Sequence, residues 1–183
     1  MKISSITLND KDSVLIDNGK KSLAYFAKKR PVKVDAELIK KLKETISKLD
    51  KNVRLCLHES PDSLFHDMII LERKGKYYRP HKHKKKEESF HIIEGEMAVF
   101  IFDEKGGIID ACKLDPHKNF IYRIGLDMYH AVMPLSDLVI YHESKPGPFT
   151  GEGDSIYPSW APDESNENKV VKLQKKMMQE IEK

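Results

Sequence analysis

The sequence predicts a mainly β domain, a small barrel or sandwich with helices at its ends. Three observations carry this. From Val53 to Glu143 the chain is a succession of short runs, alternating or wholly apolar, as in a small barrel or jelly roll. Turn-forming groups separate the runs: Ser60-Pro61-Asp62, Arg73 to Lys76, Asp103 to Gly107, Asp115-Pro116 and Lys145-Pro146-Gly147-Pro148. On either side of this block the apolar period lengthens to that of a helix, over 35–49 and 167–183.

Taken in order, residues 2–8 alternate loosely through Ile3, Ile6 and Leu8 and predict a first strand. Asn18-Gly19 is a turn. Lys20 to Lys29 reads as a short helix with Leu23, Ala24, Phe26 and Ala27 on its apolar side, stopped before Pro31. Asp35 is a helix N-cap with Glu37 in the first turn, and Leu38, Leu42, Ile46 and Leu49 recur at helical spacing. Strands follow over Val53–His58, Leu64–Glu72, the neighbourhood of His81, Glu88 to Ile93, Met97–Phe102, Ile108–Leu114, Phe120–Ile124, Ala131–Met133 and Asp137–Glu143. A polar loop leads to Trp160, the only tryptophan, read as a plug for the barrel mouth or a surface for stacking substrate. The last helix carries Val170, Leu173, Met177 and Ile181 on one stripe. The chain therefore divides into an N-terminal strand and helices (1–50), the barrel (51–148) and a C-terminal loop and helix (149–183).

With 183 residues the chain is long enough for one domain with a sizeable core and an appendage. A net charge of +3 is too small to argue for nucleic acid. No run approaches the ~18–20 apolar residues of a membrane span, and the first residues lack the apolar core of a signal peptide. The two cysteines, Cys56 and Cys112, read as buried free thiols. A cytoplasmic location is expected.

The chemistry concentrates in one stretch, Arg79-Pro80-His81-Lys82-His83, continuing through Glu88 to Gly95. In an extended strand residues i and i+2 share a face, so the two imidazoles point the same way. Glu88, Phe90 and Ile92 share a face of the next strand, and Glu88 joins the histidines if the two strands are neighbours. Glu87 then points to solvent and His91 to the outer face. His130, after the turn at Gly125, supplies a fourth ligand. Three histidines and a carboxylate suit Fe, Mn, Ni, Co or Zn rather than Mg or Ca. Arg79 has the parity of the histidines: it either faces the metal, ready for a carboxylate or phosphate, or forms a salt bridge at the rim. His66, Tyr122, His142 and Glu143 are polar groups on apolar strands. Of the adjacent pair His142 and Glu143 only one faces inward, and either is a candidate for a general base. His58 reads as a hydrogen-bonded core or rim histidine. Lys82, Lys84, Lys85 and Lys86 form either a solvated loop or a positive patch that steers an anionic ligand.

His81-x-His83-x4-Glu88-x6-Gly95, followed by a second motif carrying His130, resembles the two motifs of the cupins. More narrowly, with Leu55 to Pro61, Lys145 to Phe149 and Tyr157 to Asp163, the chain is similar to the WbuC family of cupin-fold metalloproteins over roughly residues 51–163. Where that superfamily usually has Pro-x-Gly-x-x-His, this chain has Gly125-x4-His130. The resemblance implies a single cupin β-barrel (jelly roll), a divalent transition metal held by His81, His83, Glu88 and His130, and a homodimer paired through an N-terminal strand. It also implies a small-molecule ligand of the class of an anionic sugar or nucleotide-sugar, belonging to surface-polysaccharide or lipopolysaccharide biosynthesis. Three activities suit such a site: isomerisation or epimerisation, iron-dependent dioxygenation, and metal and ligand binding without turnover.

Overall fold

A computed structural model describes residues 6–183. It opens with an antiparallel hairpin, β1 (Val14–Asn18) and β2 (Ser22–Ala27), and helix α1 (Ala36–Ser47) follows. The remaining strands are β3 (Asn52–Cys56), β4 (Phe65–Arg73), β5 (Glu88–Glu94), β6 (Met97–Phe102), β7 (Ile108–Leu114), β8 (Ile121–Ile124), β9 (Tyr129–Pro134) and β10 (Leu138–Pro146), and helix α2 (Glu167–Ile181) ends the chain. The strands form two sheets, one of seven in the order β1-β2-β3-β4-β10-β5-β8 and one of three in the order β7-β6-β9. The expected closed barrel is instead a sandwich. Hydrogen bonding does not run round from one sheet to the other, and the two inner faces meet through side chains.

Period-two alternation explains the layers. Ala24, Phe26, Cys56, Met68, Ile70, Phe90, Ile92 and Tyr141 of the large sheet face Met97, Val99, Ile101 and Leu114 of the small one. The alternate residues point outward and are covered in turn. Val53, Leu55, Ile69 and Leu71 lie under Leu38, Leu42 and Ile46 of α1. Ala98, Phe100 and Phe102 lie under Met177 of α2, with Trp160 packed beside them. Strand β6 is covered on both faces, which is why it is apolar throughout.

The N-cap role of Asp35 is realised: its carboxylate accepts from the Leu38 N–H at 3.1 Å. Leu42 is fully buried between α1 and the sheet. Leu42→Ala is expected to cost about 2–5 kcal/mol, the range for a truncated core leucine, read as the shift of a urea midpoint.

Two elements differ from the sequence expectation. Residues 20–29 hold a strand, β2, rather than a helix. Leu23, Ala24, Phe26 and Ala27 fit either period. The parallel partner β3 decides the outcome, because both faces of β2 are buried: Phe26 inward, Tyr25 under the α1 layer. The expected strand over 2–8 lies partly outside the described residues. In its described part, Ile6 and Leu8 are buried and Thr7 is exposed, and the segment pairs with no strand among the described residues.

Trp160 is neither a plug nor a stacking surface at the site. It lies on the outer face of the small sheet against Phe102 and Tyr129, and a Cβ at Gly106 would meet its ring at 2.8 Å. Cys56 is buried and Cys112 half-buried, both as free thiols.

Candidate metal centre

The motif residues converge between the two sheets. His81 exchanges both backbone hydrogen bonds with His130, at 3.0 and 2.8 Å, so the 81–83 segment docks beside β9. The sequence reading allowed the neighbour to be the Glu88 strand; it is the His130 strand. Alternation then holds as expected: His81 and His83 face inward, while Lys82 points outward, 4.4 Å over the Tyr129 ring. Glu88 arrives from the opposite sheet, on the inner face of β5 with Phe90 and Ile92. Gly95 ends that strand at φ 81°, where a Cβ would meet the Leu138 carbonyl oxygen at 2.5 Å, and so only glycine fits the motif there.

One donor atom from each of His81, His83, Glu88 and His130 lies within 4.8 Å of the others. Ligands ~2.0–2.2 Å from one ion stand at most ~4.4 Å apart, so small adjustments bring the four onto a common centre. Glu88 Oε1 is 2.6 Å from His130 Nε2, and Oε2 is 3.6 Å from His83 Nε2. Each imidazole is oriented from behind. The Nδ1 of His81 faces the Arg79 carbonyl at 3.0 Å, that of His130 the Met128 carbonyl at 2.9 Å, and that of His83 the Asp154 carbonyl. A carbonyl only accepts, so Nδ1 carries the proton and Nε2 keeps its lone pair for the centre. His83 Nε2 and His130 Nε2 are buried without a hydrogen-bond partner, an arrangement that costs free energy unless a ligand is bound. The residues present thus fit a divalent transition metal.

Burial, helped by neighbouring His130, pushes the His81 imidazole down to about 4 and so keeps it neutral. Burial alone would raise the Glu88 carboxyl, but hydrogen bonds from His130 and His83, made when their Nε2 atoms take up a proton in place of a metal, and the Lys145 ammonium outweigh it and hold the group well below the usual carboxylate range.

The cluster opens into a cavity of about 420 Å³ between the sheets. Glu143 and Lys145 stand beside it on β10. Lys145 Nζ is 3.3 Å from Glu88 Oε2 and 2.8 Å from Glu143 Oε1. His66 lines the same cavity, its ring stacked on His58 at 4.3 Å and its Nε2 3.0 Å from the Pro61 carbonyl.

The other sequence candidates lie elsewhere. Arg79 takes the rim position: it donates to the Ala161 carbonyl at 3.2 Å and to Asp163 at 3.3 Å, and lies over Tyr157, the ring that in turn neighbours His81. Tyr122 donates to Asp110 and does not line the cavity. His142 faces outward and pairs with Asp67, Glu87 pairs with Arg123, and His91 is exposed. In the basic loop only Lys84 and Lys85 are exposed. Lys82 binds Glu104 and Asp127, and Lys86 binds Asp154.

Three participants were missed from sequence. Lys145 shares strand parity with Glu143, but the predicted strand stopped at Glu143. Asp154 acts through its carbonyl, which no side-chain pattern encodes. Glu72 closes β4 on the inner face of the sheet and lines the cavity.

Glu72 leads to a pH prediction. Burial pushes its carboxyl from 4.5 up to about 7. The folded state then holds a proton that the unfolded chain releases, and stability falls as pH rises through that window. Glu72→Gln has no such proton. Between about pH 5 and about pH 8 the variant is expected to gain about 3 kcal/mol relative to wild type, measured by urea unfolding at both pH values. A difference that stays flat across the range would refute the buried, proton-holding carboxyl.

A family model described as a domain of unknown function (DUF6016) matches residues 34–114. No curated protein matches the chain. Among solved structures, the capsular polysaccharide assembling protein CapF from Staphylococcus aureus aligns at TM-score 0.51 and 16% identity, over 60% of this chain and 32% of that one. The chain therefore spans about a third of CapF. Cellulomonas parahominis L-ribose isomerase with L-psicose aligns at TM-score 0.49 and 16% identity, over 65% of this chain and 73% of that one. The chain has a cupin fold, carried here by a two-sheet sandwich. Among the described residues no helix is long and apolar enough to cross a membrane.

Proposed function

We propose that the protein is a metal-dependent cupin that isomerises or epimerises a carbohydrate-like small molecule of surface-polysaccharide synthesis. One observation carries the metal: three imidazoles, each tied by Nδ1 to a backbone carbonyl, turn their Nε2 atoms toward one buried carboxylate at the head of a cavity. The motif resemblance to the WbuC family and the fold shared with CapF, a capsular polysaccharide assembling protein, support the sugar class.

A bound divalent transition ion supplies Lewis acidity to a substrate carbonyl or hydroxyl. His81, His83, Glu88 and His130 would hold it. Isomerisation or epimerisation through an enediol removes a proton from the carbon beside a carbonyl, which calls for a base near the ligand. Glu143 is that candidate: it is 8% exposed, lines the cavity and accepts from Lys145, whose ammonium keeps a positive charge at hand for a developing oxyanion. Apolar side chains of Phe26, Met68 and Phe90 line the approach. The edge strand β1, which exposes Leu15 and Ile16, supports a homodimer, and sedimentation at several concentrations tests it.

The main test is metal analysis of purified protein joined to proton-exchange NMR. In deuterated water the metal-loaded protein is expected to exchange a C–H proton of one member of an aldose and ketose panel, and Glu143→Gln to slow exchange by about 100-fold or more. Sugar binding without exchange would replace this reading with a non-catalytic module. Iron together with sugar-dependent oxygen uptake would replace it with a dioxygenase.

A further inference from the structure

The metal cluster occupies only one end of the cavity. Strand registers across the large sheet place its inner-face residues in successive rows. Glu88, Lys145 and His66 belong to the metal row. Phe26, Cys56, Met68 and Phe90 form an apolar waist with Glu143 among them. Arg54, Ile70 and Tyr141 come next, and Ser22, Asn52 and Glu72 lie at the far end. His66 and Glu72 stand near opposite ends of the nine-residue β4, which at ~3.3 Å per residue separates them by ~20 Å. All of these residues line the one cavity, and exposed side chains stand at both its ends, Phe149 at the metal end and Asp17 with Lys21 at the other.

The far end is polar in a way that packing does not explain. Glu72 is 5% exposed, directly after the apolar run Met68 to Leu71 of its strand. Its Oε2, the Oδ1 of Asn52 and the Nε of Arg54 are buried without hydrogen-bond partners. Around them, Asn52 donates to the Tyr78 hydroxyl at 2.6 Å, and the Tyr78 and Tyr141 hydroxyls flank the Glu72 carboxyl. Buried polar atoms are nearly always paired, and three unpaired ones facing one space mark a place where a ligand completes the set.

We infer that the far end of the cavity is a second binding subsite, for a neutral hydroxyl-bearing ring, and that the ligand is accordingly an extended one, a disaccharide or longer oligosaccharide that reaches from the metal to Glu72. The chemistry selects the class. Two open acceptors and one open donor call for groups that both donate and accept, which is what neighbouring sugar hydroxyls do. Phosphate, or a nucleotide-sugar placed with its diphosphate here, offers only acceptors to the open Oδ1 of Asn52, and wherever the pH has removed the Glu72 proton it meets two carboxylates, Glu72 and Asp17. The apolar waist suits the C–H faces of a pyranose. This inference rests on the sugar reading above, and the metal and the subsite are tested apart.

The experiment is binding of the metal-loaded full-length protein to an array of neutral glycans, from mono- to tetrasaccharide, with ATP and a UDP-sugar as anionic controls. At least one disaccharide or longer glycan is expected to bind about 10-fold or more tightly than its monosaccharide units. Asn52→Ala and Glu72→Ala should each weaken that binding about 10-fold with unchanged metal content, whereas Glu72→Gln, which keeps the shape and neutral hydrogen bonding, should retain it. Glycan binding that survives in metal-free His83→Ala and still depends on Asn52 and Glu72 supports the subsite and removes the metal from ligand recognition. Monosaccharides bound as well as oligosaccharides, tighter binding of the anionic controls, no bound glycan, or variants indistinguishable from wild type would each overturn the inference.

Discussion

His83→Ala is expected to abolish stable metal binding while the sandwich remains folded. Its imidazole is 3% exposed, its Nδ1 is held by the Asp154 carbonyl, and its Nε2 has no role in the protein other than to face Glu88 and His130. Losing a group that only orients a metal ligand weakens binding about 10–100-fold, so losing a ligand should exceed that. The cost to the metal-free fold is about 1–3 kcal/mol, from the orphaned Asp154 carbonyl. The larger effect is in linkage. A metal at a thousandfold excess over its dissociation constant stabilises the native state by about 4 kcal/mol, or roughly 10 °C for a chain of this size. Wild type should show that rise on adding metal and His83→Ala should not, with elemental analysis of the same samples giving about one ion per wild-type chain and almost none in the variant. Full occupancy in His83→Ala, or in the parallel variants Glu88→Ala, His81→Ala and His130→Ala, would remove the ligand assignment.

The second large effect is expected at Lys145. Its ammonium is 2.8 Å from Glu143 and 3.3 Å from Glu88, and its side chain is only 18% exposed. Coulombic attraction to Glu143 and Glu88 exceeds the opposing effect of burial and raises its pKa, so it stays charged across the working pH range. Lys145→Met leaves two buried carboxylates facing each other with nothing between them. Breaking a buried ion pair from one side costs about 3–5 kcal/mol, so the metal-free variant should melt ~10 °C below wild type. A divalent cation on Glu88 restores positive charge at the same place. The metal-bound forms should therefore differ less, and the metal-induced rise in melting temperature should be larger in Lys145→Met than in wild type. Melting curves with and without chelator decide it. Equal losses in both states would mean that Lys145 matters only through packing, and no loss in either would mean that the pair is not formed in solution.

How far the site was legible follows from where its information lies. His81, His83 and Glu88 fall within eight residues of one another, and alternation along an extended chain orients them before any fold is known. His130 was legible only through the turn glycine ahead of it and the motif resemblance. Lys145 obeys the same alternation, but the charged end of β10 did not look like strand. Glu72 looked like the polar end of an apolar run, because nothing local tells a strand terminus at the surface from one that opens into a cavity. Asp154 contributes a carbonyl, which every residue has. Arg79 had the right parity and the wrong outcome: Asp163 and the Ala161 carbonyl, distant in sequence, claim its guanidinium.

The same boundary runs through the fold. Period and punctuation in the sequence alone determined the helix capped by Asp35, the terminal helix, most strand positions and the inward residues of the metal motif, since each depends on a side chain and its near neighbours. Tertiary structure decided the rest. Residues 22–27 became a strand because β1 and β3 flank them with open edges, against an apolar pattern that suits a helix equally well. The sheets stayed apart as a sandwich because side chains, not hydrogen bonds, join their inner faces. The candidate metal cluster draws its histidines from one layer and its glutamate from the other, a pairing that depends on how two sheets stack. Local propensities act over a few residues, whereas burial of a whole face acts over the molecule, and where the two competed burial prevailed.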